Sequence, residues 1–121
     1  MTRIGIVAEQ EGETRVSATP ATAAKLQDLG YEVVVERGAG ERSAFPDTAY
    51  AEAGALLVSG DEAWAAPIVL KVDAPTDAEI ARLADGATVV GLLSPALRPE
   101  LRAALATRGI TALAMDAVPR I

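Results

Sequence analysis

Runs of β-branched residues alternate along the chain with runs rich in alanine and leucine, and glycines end several of the latter. This pattern predicts strands at 3–8, 32–36, 55–58, 68–72, 87–93 and 110–115. It predicts helices between them, at 19–29, 47–54, 61–64, 76–83 and 99–108. We therefore expect an α/β domain with a mainly parallel sheet and flanking helices, of the Rossmann-like or flavodoxin-like kind. Ligands of such sheets bind where the strands end, so the residues just after each strand are the first candidates for a site.

Residues of the types that cap helix N-termini stand where several of these helices begin: Thr19, Asp47, Asp61 and Thr76. Glu79 follows Thr76 by three positions, which is the spacing of a capping box. Pro20 is the residue type favoured at the first helical position, and Gly30 is the type favoured just after a helix ends. The first helix is expected to turn these apolar residues towards the sheet: Ala24, Leu26 and Leu29.

The chain has 121 residues, 50% of them hydrophobic, and this length and composition suit one folded domain and argue against intrinsic disorder. The formal net charge of −6 argues against nonspecific nucleic-acid binding, which requires Lys and Arg to neutralise phosphates. The uncharged run 86–97 is too short to span a bilayer and no targeting segment is recognisable, so we predict the cytoplasm.

The chain contains neither cysteine nor histidine. It therefore has no disulfide, no thiolate nucleophile and no Cys-ligated metal site, and it lacks the most common general base. Carboxylates, lysines, arginines, hydroxyl groups and the backbone remain for any chemistry, and the sequence has no spacing typical of a metal site.

The segment Gly38–Ser43 has the pattern G-x-G-x-x-S and follows a predicted strand, as a dinucleotide-binding fingerprint does. That fingerprint requires a helix to begin inside the motif, so that the helix N-terminus meets the pyrophosphate. Here Phe45 and Pro46 lie between the motif and the next predicted helix. The fingerprint also has an acidic residue about 20 positions further on, at the end of a strand. Asp61 is at about that distance, but it does not end a predicted strand. A flexible connecting loop is therefore the better interpretation.

Three basic residues lie near the ends of predicted strands. Spacing alone favours a surface ion pair of Arg15 with one of the glutamates around it, and a bound carboxylate or phosphate is the alternative. Lys71 lies in an apolar strand, so it either extends to solvent or serves a site near Arg15, with Asp73 as the nearest partner in sequence. Arg120 follows the last strand, where a surface arginine is the simplest interpretation.

Several segments, in order along nearly the whole chain, match one family. They are Glu13–Val16 with Thr19-Pro20, Val35–Gly40, Tyr50 with Ala53–Ala55, Ile68–Pro75, and Met115–Ile121. On these segments the chain resembles the N-terminal part of the alanine dehydrogenase and nicotinamide nucleotide transhydrogenase superfamily. Within it, the resemblance is to the alpha subunits of proton-translocating NAD(P) transhydrogenases.

Two chemistries occur in that superfamily, and the resemblance implies a choice between them. Alanine dehydrogenases require a histidine as acid and base after the fifth strand, and the corresponding position here is Ser94. Serine does not transfer protons near neutral pH without an activating base. Direct hydride transfer between two nicotinamides requires no proton donor, so a chain without histidine favours transhydrogenation.

The transhydrogenase resemblance implies NAD(H) as cofactor, NADP(H) on a partner beta subunit, and hydride transfer coupled to proton translocation. Arg120 matches the arginine of a loop that holds the nicotinamide in that family, and Ile121 follows it. Arg15 and Lys71 match the substrate-binding pair of alanine dehydrogenases, and here they either form an anion pocket or hold the cleft.

The implied partners are the NADP-binding domain of the beta subunit, the membrane segments of the complex and a second copy of the chain. The implied location is the cytoplasmic side of the inner membrane. The dinucleotide fingerprint belongs to a second domain of the family, so residues 1–121 are expected to be a truncated N-terminal domain that is inactive alone. Two other interpretations stay open, namely an alanine or saccharopine dehydrogenase relative with altered chemistry, and a noncatalytic flavodoxin-like binding module.

Overall fold

The computed structural model describes residues 2–10, 12–73, 75–92 and 99–114 of the chain, and strands and helices alternate within these ranges. The strands are β1 (Arg3–Ile6), β2 (Glu32–Glu36), β3 (Leu56–Val58), β4 (Ile68–Asp73), β5 (Thr88–Leu92) and β6 (Thr111–Ala114). The α-helices are α1 (Pro20–Asp28), α2 (Asp47–Glu52), α3 (Gly60–Trp64), α4 (Asp77–Arg82) and α5 (Pro99–Thr107). A 3₁₀ turn, Glu41–Ser43, lies between β2 and α2.

These strands form one parallel sheet in the order β3-β2-β1-β4-β5-β6. The predicted α/β fold with a parallel sheet is confirmed, and this strand order is that of the Rossmann fold. The order reverses between β1 and β4, where Ile4–Ile6 pairs with Ile68–Leu70. Ligands of open α/β sheets bind at such a reversal, beyond the carboxyl ends of the strands. The residues that follow β1 and end β4 are therefore the ones to inspect for a site.

The sheet is buried on both faces, as the strand β2 shows. Val33 and Val35 pack with Tyr50 of α2 on one face. Val34 packs with Trp64 of α3 on the other face, because successive side chains of a strand point in opposite directions. A strand that is covered on both sides needs apolar residues at every position, which explains the uninterrupted run of valines.

Two of the predicted N-terminal caps are confirmed. The Thr19 hydroxyl accepts a hydrogen bond from the Thr22 amide, 3.2 Å away, at the start of α1. At the start of α4, the Thr76 hydroxyl accepts from the Glu79 amide, and the Glu79 carboxylate accepts from the Thr76 amide. These bonds satisfy backbone donors that the first turn of a helix leaves unpaired.

The predictions of Asp47 and Asp61 as caps are wrong. The Ser59 hydroxyl caps α3, which begins one residue earlier than predicted, and the Asp61 carboxylate instead binds Arg82 at 3.1 Å. Asp47 is itself the first residue of α2, and its carboxylate accepts a hydrogen bond from the Gly38 amide at 2.9 Å. Both carboxylates thus bind partners from elsewhere in the chain, which helix-start patterns do not reveal.

The buried side of α1 also differs from the prediction. Ala23 is buried against the sheet and Leu26 is half-buried, whereas Leu29 is 74% exposed. A helix rotates by about 100° per residue, so Leu29 points about 120° away from Ala23. Leu29 is also the residue that ends the helix. The expectation that Leu29 is buried is therefore wrong.

The segment Gly38–Ser43 is a connecting loop, and no α-helix begins inside it. The next α-helix starts only at Asp47, so the segment presents no helix N-terminus to a pyrophosphate. Its second glycine answers a packing requirement instead. A Cβ on Gly40 would lie 2.7 Å from both the Phe45 carbonyl oxygen and the Tyr50 ring.

All helices in the described part of the chain are short. The longest two, α1 and α5, have nine residues each. A membrane-spanning helix requires about 20 mostly apolar residues. Among the residues that the structure describes, no helix is long and apolar enough to cross a bilayer.

Candidate functional site

A small cavity of about 150 Å³ lies beyond the carboxyl ends of β1 and β2, beside the reversal of strand order. Its walls are formed by the loops that follow β1 and β2, and they carry carboxylates, guanidinium groups and small residues: Glu9, Glu13, Glu41, Arg15, Arg42, Ala8, Gly38 and Ala39. Charged side chains therefore converge at the edge of the sheet where the strand pattern predicts a site.

Arg15 lies in the wall of this cavity and is paired with Glu13. Its Nε donates to Glu13 Oε1 and its Nη2 donates to Glu13 Oε2, each at 3.0 Å, which makes a bidentate ion pair. Arg15 Nη2 also lies 3.9 Å from Asp73 Oδ1 at the end of β4. The pair with a nearby glutamate is the arrangement that spacing alone favours, and the Arg15 side chain keeps 60% of its surface exposed.

This ion pair changes the protonation of the groups around it. Hydrogen bonds from the side chain and the amide of Arg15 lower the pKa of Glu13 to about 2. The same carboxylate raises the pKa of Arg15. Partial burial and the neighbouring Glu13 carboxylate raise the pKa of Asp73 above its ordinary value. The site thus holds an ionised pair beside a carboxyl group that takes up a proton more readily.

Lys71 lies behind the cavity wall and does not line it. Its side chain is fully buried, with Nζ 3.0 Å from Glu9 Oε1, 3.6 Å from Glu79 Oε2 and 5.7 Å from the centre of the Trp64 ring. The expectation that Lys71 extends to solvent is wrong. The expectation that it pairs with Asp73 is also wrong, because its carboxylate partners are Glu9 and Glu79. The reason is that β4 continues past Lys71, while α4 brings Glu79 against it.

Glu9 connects the cavity to Lys71. Its carboxylate accepts hydrogen bonds from Lys71 Nζ, from the Val72 amide at 2.9 Å and from the Asp73 amide at 3.1 Å. One side chain that follows β1 thus holds the end of β4, across the strand reversal. Sequence reasoning missed this role of Glu9, although its place just beyond the first strand was the available signal.

The residues at this edge of the sheet fall within a match to a known family. The profile of the family described as "Alanine dehydrogenase/PNT, N-terminal domain" matches residues 5–121. The chain belongs to this family. The matched range includes every residue of the cavity wall and both Arg15 and Lys71.

Two kinds of relative share this domain. The chain is 46% identical over 111 residues to the NAD(P) transhydrogenase subunit alpha of Haemophilus influenzae, and 45% identical over 113 residues to that of Cereibacter sphaeroides. Each alignment covers 92% of this chain and 22% of the relative. The chain is 33% identical over 116 residues to alanine dehydrogenase 1 of Staphylococcus aureus. That alignment covers 95% of this chain and 31% of the enzyme.

Two solved structures have the same fold. The transhydrogenase from Sinorhizobium meliloti superposes with a TM-score of 0.92 at 38% identity, over 98% of this chain and 36% of that one. An L-alanine dehydrogenase superposes with a TM-score of 0.87 at 33% identity, over 93% of this chain and 32% of that one. The family and fold expected from sequence are confirmed, and the chain spans between 22% and 36% of the length of these transhydrogenases and alanine dehydrogenases.

Three residues of the predicted site lie outside the described residues. Ser94 stands where the resemblance places the histidine of alanine dehydrogenases, and Arg120 and Ile121 are expected beside a nicotinamide. Their roles stay predictions. The anion pocket of Arg15 and Lys71 also stays a prediction, and the geometry brings only Arg15 to the cavity.

The chemistry of the cavity wall is that of hydrogen bonds and ion pairs. Within the ranges that the structure describes, no group of three or more Asp or Glu side chains is placed to hold a metal ion. The carboxylates of Glu9 and Glu13 instead bind lysine, arginine and backbone amides. Guanidinium donors beside carboxylate acceptors can bind and orient a small polar group.

Proposed function

We propose that this chain is the N-terminal domain of the alpha subunit of a proton-translocating NAD(P) transhydrogenase, an enzyme that passes hydride between NAD(H) and NADP(H). Sequence identity carries the proposal. The chain is 46% and 45% identical to two transhydrogenase alpha subunits, against 33% for an alanine dehydrogenase over nearly the same stretch. The TM-score is also higher for the transhydrogenase structure, 0.92, than for the L-alanine dehydrogenase structure, 0.87.

The side chains available in the chain support the same choice. Direct hydride transfer requires two juxtaposed nicotinamide rings and the exclusion of water, but no proton donor. The chain has no histidine to serve as one. Lys71, which the resemblance matches to a substrate ligand of alanine dehydrogenases, is held by Glu9 and Glu79 and does not line the cavity.

The cavity beside the reversal of strand order is too small for a whole dinucleotide. Pockets for ligands of drug size or larger measure roughly 300–1,000 Å³, whereas the cavity here has about 150 Å³. The segment Gly38–Ser43 begins no α-helix that would meet a pyrophosphate. The proposal therefore assigns most of the NAD(H) contacts to a second domain of the alpha subunit, and assigns Arg120 and Ile121 to the nicotinamide end.

The proposal also implies partner subunits. NADP(H) belongs to the NADP-binding domain of a beta subunit, and proton translocation belongs to membrane segments elsewhere in the complex. The alpha subunit is expected to form a homodimer at the cytoplasmic side of the inner membrane. The designation of two relatives as "subunit alpha" supports the existence of further subunits.

Two assays distinguish the candidate activities. The complete polypeptide that carries this sequence is assembled with its NADP(H)-binding partner and tested for reduction of a spectrally distinct NAD analogue by NADPH. The same preparation is tested for NADH-dependent amination of pyruvate. We expect the first activity without the second. The reverse result would assign the chain to an alanine dehydrogenase and overturn the proposal.

The coding sequence after Ile121 gives an independent test. A transhydrogenase is expected to continue with Gln and Asp soon after this position, followed by a strand and G-x-G-x-x-G. A stop codon directly after Ile121 would favour a noncatalytic binding module instead.

A further inference from the structure

Two side chains of the glycine-rich segment bind the backbone of the loop that follows β1. Arg42 Nη1 donates to the Gln10 carbonyl oxygen at 2.9 Å and to that of Glu13 at 3.5 Å. The Ser43 hydroxyl donates to the Thr14 carbonyl oxygen. Adjacent residues of one loop thus hold carbonyl groups along a short stretch of another loop.

The glycine-rich segment is itself firmly anchored. Gly38 has a φ of +82°, a left-handed conformation that favours glycine, and its amide donates to the Asp47 carboxylate of α2. Gly40 is buried so closely against Tyr50 that no Cβ could be accommodated without movement. The two side chains that reach across to the other loop therefore project from a fixed support.

The loop that they hold carries the ion pair of the cavity. Glu13 and Arg15 are two positions apart, so their bidentate contact restrains the two side chains relative to each other. It does not fix the loop relative to the sheet. The contacts of Arg42 and Ser43 join residues 29 to 32 positions apart and so help to fix it, alongside the bond from the Ser17 hydroxyl to the Leu70 carbonyl oxygen of β4.

We propose that Arg42 and Ser43 form a clasp that positions the Glu13–Arg15 pair in the cavity wall. The segment that resembles a dinucleotide fingerprint would then serve to orient side chains at the site. The value of the clasp to the enzyme rests on the proposed function, but the clasp itself can be tested without measuring activity.

Nuclear magnetic resonance relaxation of the chain tests the clasp. Arg42→Gln and Ser43→Ala each remove part of it, and Arg37→Gln is the matched control, since Arg37 is an exposed arginine of the same connection whose contact is to β3. In Arg42→Gln, the order parameters of the Glu13 and Arg15 backbone amides are expected to fall from about 0.85 to about 0.6 or less. A smaller fall is expected in Ser43→Ala, and none in Arg37→Gln.

The protonation of Glu13 gives a second readout, which reports directly on its contact with Arg15. Release of the loop lets the backbone between Glu13 and Arg15 adopt conformations in which the two side chains do not meet. The pKa of Glu13 in Ser43→Ala, a variant that changes no charge, is therefore expected to rise from about 2 towards its ordinary value. Arg42→Lys keeps a cationic donor and is expected to restore part of the loop order.

Unchanged order parameters together with an unchanged Glu13 titration in both variants would overturn the clasp. An equal loss of order at core amides such as Val34 in Ser43→Ala would also overturn it, because the effect would then be on the fold. The variants can also loosen the loop while the assembled enzyme still transfers hydride normally. That result would support the clasp and show that hydride transfer does not depend on it.

Discussion

Lys71 Nζ lies 3.0 Å from Glu9 Oε1, across the reversal of strand order and 62 residues away in the chain. Both side chains are almost fully buried, so the two charges are satisfied mainly by protein partners. Glu9 also accepts hydrogen bonds from two backbone amides at the end of β4, and Glu79 lies 3.6 Å from Lys71. The pair therefore joins the loop after β1 to the end of β4, directly behind the cavity.

Replacement of Lys71 by Met is expected to lower the free energy of unfolding by about 3–5 kcal/mol, since it leaves the Glu9 carboxylate buried without its cation. Lys25, the other lysine of the chain, is exposed on α1. Lys25→Met is therefore the matched control, with an expected change of less than about 0.5 kcal/mol. Urea unfolding followed by the fluorescence of Trp64 measures both values. Equal effects of the two substitutions would contradict a stabilising pair.

The sequence predicts the local features of this fold well. The bounds of β2 agree with the prediction, because its valines are flanked by a helix-ending Gly30 and by a loop. The capping box of Thr76 and Glu79 is also correct. In each case the residues that determine the structure lie within a few positions of one another, where spacing is informative.

The wrong predictions concern partners that meet only after folding. Asp61 was expected to cap its own helix, but its carboxylate binds Arg82, 21 positions later. The sequence places Lys71 either at the solvent or in a site near Arg15, with Asp73 as its nearest partner, but Lys71 meets carboxylates from the loop after β1 and from α4. Strand order decides such pairings, and no periodicity in the sequence states which acid will face which base.

Acid is expected to break the Arg15–Glu13 pair only at very low pH. The pKa of Glu13 is lowered from 4.5 to about 2, mainly by the hydrogen bond from the Arg15 side chain. The stabilisation from this carboxylate is therefore complete above its ordinary pKa and is lost as the pH falls from there towards 2.

The carboxyl carbon shift of Glu13, followed as a function of pH, checks this expectation. Arg15→Gln should return the pKa of Glu13 towards 4.5, whereas Arg37→Gln should leave it near 2. A titration of Glu13 at its ordinary value in the unsubstituted chain would show that the bidentate pair is not formed in solution.

The buried hydroxyl of Tyr50 is expected to contribute one hydrogen bond to stability. It donates to the Ala18 carbonyl oxygen at 2.7 Å, so Tyr50→Phe leaves that oxygen unpaired and should lower the free energy of unfolding by about 1 kcal/mol. Tyr31→Phe, at a half-exposed position, is the control and should have a smaller effect. A loss in Tyr31→Phe as large as in Tyr50→Phe would argue against this assignment.

Alkali is expected to act on the same side chain. Burial, assisted by the nearby Asp47 carboxylate, raises the pKa of Tyr50 from 10.0 to about 12. The stability that it contributes is complete below pH 10.0 and is lost as the pH rises through about 12. Phenolate absorbance follows the ionisation of the tyrosines, and unfolding at each pH gives the stability. Tyr50→Phe should lose less stability than the unsubstituted chain over this interval.

The chain alone is expected to bind NADH weakly or not at all. The cavity of about 150 Å³ is too small for a dinucleotide, and the segment Gly38–Ser43 begins no α-helix. Calorimetric titration with NADH measures the affinity, and the complete alpha subunit serves as the positive control. Micromolar binding by the chain would show that the described domain holds the dinucleotide after all.

The reversal of strand order also affects how the chain is made. β1 lies inside the sheet, but β4, one of its two neighbours, begins only at Ile68. While the chain emerges from the ribosome, β1 can pair with β2, but its other edge has no strand beside it and Glu9 has no lysine to bind. Unpaired strand edges promote aggregation. Until β4 has been synthesised, the nascent chain therefore exposes one edge of β1 to aggregation with other chains.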